Sequence, residues 1–173
     1  MRKVILGSVI VIVVLFISFL IIGMGKKVQS HKLITEKIAR LPAFSFKKLS
    51  NESFNSSEIK KGPVLIVHFH PECEHCKYEI SEIIKSDIPA SGTCVIMVSS
   101  ADPCELRKYF SQFDYSHYPA INVLVDSSYN FGDIFGSDVV PSNYIYDKDL
   151  NLVKVLYGEV KTETILKYLQ DSE

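Results

Sequence analysis

His68-Phe69-His70-Pro71-Glu72-Cys73-Glu74-His75-Cys76 decides the fold, because it sets two thiols three residues apart directly behind the apolar run Val64-Leu65-Ile66-Val67. That run reads as a strand buried on both faces. With Pro71 at the strand-to-helix junction, the spacing predicts a helix from Cys73 to Lys85, with Cys73 in its first turn and Cys76 one turn deeper on the same face. Sulfurs so placed close a disulfide with little backbone movement. The helix N-terminus offers partial positive charge and free N–H groups to a Cys73 thiolate, the species that attacks a disulfide. Cys73 is the candidate nucleophile and Cys76 the resolving thiol.

A Cys-x-x-Cys pair also serves as half a zinc site or as a plain structural disulfide. A zinc knuckle needs a second such pair or paired histidines at knuckle spacing, and Cys94 and Cys104 stand too far apart for that. The strand–motif–helix context favours redox chemistry.

Outward from the motif, the predicted helix packs Cys76, Ile80, Ile83 and Ile84 inward and leaves Lys77, Glu79 and Glu82 on its wet face. Cys94 to Val98 is a second buried strand. Asp102, Pro103 and Glu105 supply an N-cap, an N1 proline and an N3 carboxylate for a second helix striped by Leu106, Tyr109, Phe110 and Phe113. Ala120 to Val125 is a further strand, followed by an aromatic- and glycine-rich segment, Ser127 to Gly136, with no regular element assigned. Asn143 to Tyr146 and Leu152 to Tyr157 form a hairpin around Asp147-Lys148-Asp149, and a closing helix from Thr162 to Gln170 buries Ile165, Leu166 and Leu169. Upstream, Leu41 to Phe46 and Ser50 to Asn55 read as a short hairpin. The expected architecture is α/β, a mixed central sheet flanked by helices.

The 173 residues are 47% hydrophobic with a formal net charge of -1, which suits one globular unit. Lysine and arginine are scattered, so nucleic acid is not an expected partner. Val4 to Met24 is an almost unbroken apolar run, long enough to cross a hydrocarbon core of about 30 Å as a helix. It lacks an A-x-A-like cleavage site, which argues for an uncleaved anchor rather than a signal peptide. The expected organisation is an N-terminal cytoplasmic stub and transmembrane anchor at 1–25, a stalk at 26–40, and the folded domain at 41–173. Flanking charges nearly tie, and the two-residue head against a large tail places the domain outside the cytoplasm, where disulfides persist.

Phe69 to Cys76, Leu41 to Phe46 and Val140 to Asp147 together resemble the thioredoxin fold, and more narrowly the membrane-anchored TlpA/ResA-like redoxins, over roughly residues 41 to 170. The resemblance implies a thiol-disulfide oxidoreductase that reduces or isomerises protein disulfides, with protein disulfide or dithiol clients and an upstream membrane thiol donor, and with no cofactor. It also implies a cis Val140-Pro141 bond beside the cysteines, where Val140 and Pro141 bind extended client chain. The chain departs from the pattern in places. Glu72 stands where a tryptophan is usual, and Val67 occupies the position where thioredoxins bury a carboxylate, so proton transfer at Cys76 falls to another group such as Glu72, Glu74 or a water. The peroxiredoxin pattern P-x-x-x-[ST]-x-x-C is absent, which argues against a peroxidase.

Between the cysteines, a protonated His75 favours the Cys73 thiolate and Glu74 opposes it, so the two act as a redox-tuning pair with partly cancelling effects. Two other functional classes are weighed. A copper metallochaperone of the Sco type binds metal through two cysteines and a remote histidine, with His117 as the conceivable ligand, but those cysteines are spaced C-x-x-x-C. A redox-inactive peptide-binding adaptor has no need of both thiols. Cys94 and Cys104 flank the second strand at roughly 16 Å, too far for a direct disulfide, so Cys94 is expected to be a buried inert thiol and Cys104 a spare surface thiol.

Overall fold

The computed structural model describes residues 34–60, 62–113 and 119–170. The expected anchor at 1–25, most of the expected stalk, and His117 lie outside the described residues; among the described ones no helix is long and apolar enough to cross a membrane. Ile38–Glu173 forms one compact unit.

Seven strands run β1 (Ser45–Lys48), β2 (Ser53–Asn55), β3 (Val64–His68), β4 (Cys94–Ser99), β5 (Ile121–Val125), β6 (Ser142–Tyr146) and β7 (Leu152–Tyr157). They form one sheet in the order β2-β1-β5-β4-β3-β6-β7. β3, β4 and β5 are parallel, while β1 joins β5 and β6 joins β3 antiparallel, giving the expected mixed sheet. β3 is buried along its whole length, because helices and aromatic side chains cover both faces of its four apolar residues.

The helices of this unit include α1 (Glu74–Lys85), α2 (Pro103–Phe110), α3 (Phe131–Phe135) and α4 (Thr162–Gln170). Alternation along the strands divides the core in two. Leu65, Val67, Val95, Met97 and Ile145 face a cluster with Ile80 and Ile83 of α1, Leu106 and Phe110 of α2, and Ile165 and Leu169 of α4. The opposite face carries His68 and Tyr144, packed with Phe44, Phe46, Phe131 and Phe135 in stacked and tilted ring contacts. α3 sits inside the segment to which the sequence assigns no element. Five residues that include Gly132 give too little periodicity to read, and the helix is held instead by burial of Phe131 and Phe135.

α2 forms as the sequence signals require, with Asp102 Oδ1 accepting from the Cys104 N–H at 2.7 Å. Two details differ from expectation. Leu166 of α4 is only half-buried, and Cys94, at the sheet end where β4 begins, is likewise half-buried rather than enclosed.

Candidate functional site

The parallel register pairs His68 with Val98, so β3 and β4 end together, and the chain leaves β3 through Phe69, whose N–H donates to the Val98 carbonyl at 3.0 Å. A tight turn follows. The Cys73 N–H donates to the His70 carbonyl at 3.1 Å, and the Glu72 N–H to His70 Nδ1 at 3.3 Å. This turn delivers Cys73 to the N-cap of α1 rather than into its first turn, one residue earlier than the spacing predicts. The backbone there is extended (φ -78°, ψ 115°), so the Cys73 sulfur swings over the helix end and accepts the Cys76 N–H at 3.3 Å.

Cys73 is half-exposed and Cys76 is fully buried, and both are free thiols in this structure. Burial chiefly, with the Cys76 thiol donating to Cys73 and the charges of Cys73 and Glu79 nearby, pushes the Cys76 thiol up to about 12. The pair is asymmetric: an accessible sulfur at a helix N-terminus above a buried one that holds its proton.

Glu79 corrects the sequence reading. It is expected on the wet face of α1, yet it is 1% exposed, because α1 turns residues 76, 79, 80 and 83 together onto the sheet. Its two oxygens are used: Oε1 accepts from Asn143 Nδ2 of β6 at 2.9 Å, and Oε2 from the Val160 N–H at 2.7 Å. Burial raises its pKa more than these two bonds lower it. The buried carboxylate that Val67 does not provide is therefore supplied by the helix, one turn beyond Cys76.

Glu74 and His75 are both exposed and both paired. Glu74 Oε1 meets Lys77 Nζ at 2.6 Å, and His75 Nδ1 meets Glu159 Oε2 at 2.6 Å across 84 residues of sequence. Each intended tuning charge thus has an opposite charge beside it, in solvent that screens it further. Val140-Pro141 is cis, as the resemblance implies, and Val140 packs with Cys73 against the core. Among the described residues, no backbone hydrogen bond engages the Val140 N–H or carbonyl.

His68 is buried in β3 and stacks on Phe131 at 4.0 Å between ring centres; burial lowers its pKa, so the ring is neutral near pH 7. Among the described residues, no cluster of three or more His, Cys, Asp or Glu side chains forms a metal site. Cys104 is exposed at the start of α2, and burial pushes the Cys94 thiol up to about 11.

A profile of the AhpC/TSA family matches residues 39–155. A thioredoxin domain-containing mitochondrial protein of Schizosaccharomyces pombe is 25% identical over 141 residues, covering 73% of this chain but only 36% of that protein, so the chain spans about a third of this relative. Among solved structures, the exposed lipoprotein thioredoxin of Streptococcus pneumoniae superposes with a TM-score of 0.62 at 20% identity, over 75% of this chain and 98% of the other. A thiol:disulfide interchange protein of the thioredoxin family from Chlorobium tepidum gives 0.62 at 16% identity, over 78% and 95%. These likenesses establish a thioredoxin-like fold.

Proposed function

The chain belongs to the AhpC/TSA family and has a thioredoxin-like fold, and from that premise we propose that it is a membrane-anchored, extracytoplasmic thiol-disulfide oxidoreductase working through Cys73 and Cys76. The observation that carries this reading is the asymmetry of the pair. Cys73 is reachable and caps a helix N-terminus, while Cys76 keeps its proton up to about 12.

The Cys73 thiolate attacks one sulfur of a client disulfide, a Cys73–client disulfide forms, and the other client sulfur leaves as a thiolate that takes up a proton. Cys76 then loses its proton and attacks the Cys73 sulfur, which releases the second client thiol and leaves Cys73–Cys76 oxidised. Two electrons have passed to the client, and an upstream thiol donor restores the dithiol. Cys76 needs a proton acceptor for the second step, and the buried Glu79 carboxylate, whose charge acts on the Cys76 thiol, fills that role in place of Glu72 or Glu74, which are exposed. Client backbone lies along Val140 and Pro141, where the Val140 polar groups are open to pair with it.

The Val4–Met24 run supports the anchor, and the likeness to an exposed lipoprotein of Streptococcus pneumoniae supports the location. The test is stoichiometric. The pre-reduced chain should reduce one disulfide of a model protein per dithiol, and Cys73→Ser should reduce none; equal activity of the two ends the proposal. A reduction potential near about -270 mV marks a reductase, and one near about -120 mV an oxidase of the DsbA kind.

A further inference from the structure

Beside the cysteine pair, on the face of the sheet away from α1, lies an open cavity of about 340 Å³ lined by His68, His70, Ser100, Tyr129, Asp138 and Val140. Two of its walls belong to the site already described. His70 accepts the Cys73 N–H through its carbonyl, and Val140 precedes Pro141. A client chain paired along Val140 therefore has this cavity within reach of a side chain close to its disulfide. The volume is at the small end of ligand pockets and suits one long side chain rather than a whole small molecule.

The lining dictates what that side chain is. His68 is 5% exposed, and its Nδ1 has no hydrogen-bond partner. Burial lowers the His68 pKa and so favours the neutral imidazole, which offers one ring nitrogen as an acceptor. Asp138 adds a carboxylate with no ion-pair partner among the described residues. The Asp138 carboxylate lies against the backbone of Gly132, where a Cβ would meet it. Ser100 and Tyr129, each bearing a hydroxyl, complete the lining, and among the described residues no lysine or arginine lines the cavity. A carboxylate, an imidazole acceptor and two hydroxyls with no cation among them match a planar, multiply donating cation.

We propose that this cavity is a specificity subsite that accepts an arginine side chain of the client polypeptide near the disulfide under attack. The inference rests on the oxidoreductase reading and adds to it a preference for basic clients. His68 and Asp138 are specificity residues that touch the client away from the reacting sulfurs.

The experiment uses the full chain in detergent, pre-reduced, with Cys104→Ser in the background so that the exposed second thiol does not contribute. Its substrates are single-cysteine peptides carrying 5-thio-2-nitrobenzoate in mixed disulfide, with arginine, norleucine or glutamate at each of the three positions on either side of the cysteine. Cys73 attacks the peptide sulfur and releases thionitrobenzoate, whose colour reports the rate. At one or more positions arginine should react about fivefold faster than glutamate, the size of a partly screened ion pair. Asp138→Asn, close in shape, should bring that ratio below about twofold, as should salt of about 0.5 M. Taking the ratio within each variant cancels any change in folded fraction or thiol reactivity. A ratio near one at every position, or one that Asp138→Asn leaves intact, overturns the subsite while the oxidoreductase stands. If Cys73→Ser reacts as fast as the parent, the oxidoreductase reading falls and the subsite falls with it.

Discussion

Replacing Glu79 by alanine removes a carboxylate buried one helical turn from Cys76 and orphans two donors, Asn143 Nδ2 and the Val160 N–H. Asn143 is fully buried and Val160 half-buried. An orphaned buried donor costs about 1–3 kcal/mol, so the upper half of that range for Asn143 and the lower end for Val160 give about 3 kcal/mol. At a urea dependence of about 2 kcal/mol per molar, the unfolding midpoint falls by about 1.5 M. Glu79→Gln keeps the volume and one acceptor oxygen, and should lose about half as much. The pH dependence separates the carboxylate from its shape. Burial raises the folded-state pKa of Glu79 above its ordinary 4.5, so its stabilising contribution is complete below 4.5 and is lost as pH rises through the folded value. Glutamine has no such loss. The stability deficit of Glu79→Gln against wild type should therefore be largest near about pH 4 and shrink toward about pH 8, read by circular dichroism in urea because the chain has no tryptophan. A deficit that is constant or grows with pH, or an alanine variant with an unshifted midpoint, refutes the buried-carboxylate argument.

In a brief pulse of iodoacetamide at neutral pH, the reduced protein should be alkylated at Cys73 and Cys104 while Cys76 and Cys94, held up to about 12 and about 11 by burial, stay free; mass spectrometry of the peptides reads this directly. Peptide mapping of the oxidised protein should find Cys73–Cys76 as its intramolecular disulfide, and a substantial bridge containing the exposed Cys104 would contradict its status as a spare thiol. Protease added outside spheroplasts should degrade the domain while a cytoplasmic control survives, and protection of the domain would overturn the extracytoplasmic location.

Most of the scaffold was legible because its signals are local. The apolar run of β3, the Asp102-Pro103 start of α2 and the Asp147-Lys148-Asp149 turn each encode their element within a few residues, and each appears where expected. Glu79 is expected on the wet face from its charge, although its place in the helix says otherwise. Residues 76, 79, 80 and 83 are the i, i+3, i+4, i+7 face of a helix, and that periodicity was the available signal. What satisfies the carboxylate comes from Asn143 and Val160, 64 and 81 residues away, which no local pattern announces. The same holds for the His75–Glu159 contact across 84 residues. His68 sits in the core with Nδ1 unpartnered, and the groups around it, Phe131 of α3 and the segment before Pro141, meet only in the folded chain.

The most direct test of the central claim is the covalent trap. Cys76→Ser leaves Cys73 able to attack a client but removes the thiol that releases it, so non-reducing gels of cells expressing this variant should show adducts that vanish on adding reductant. Cys73→Ser should give few or none, because the remaining thiol is buried and keeps its proton up to about 12. If Cys76→Ser is folded and exported yet forms no reducible adduct, or if the two variants trap clients equally, Cys73 is not the attacking sulfur and the account is contradicted.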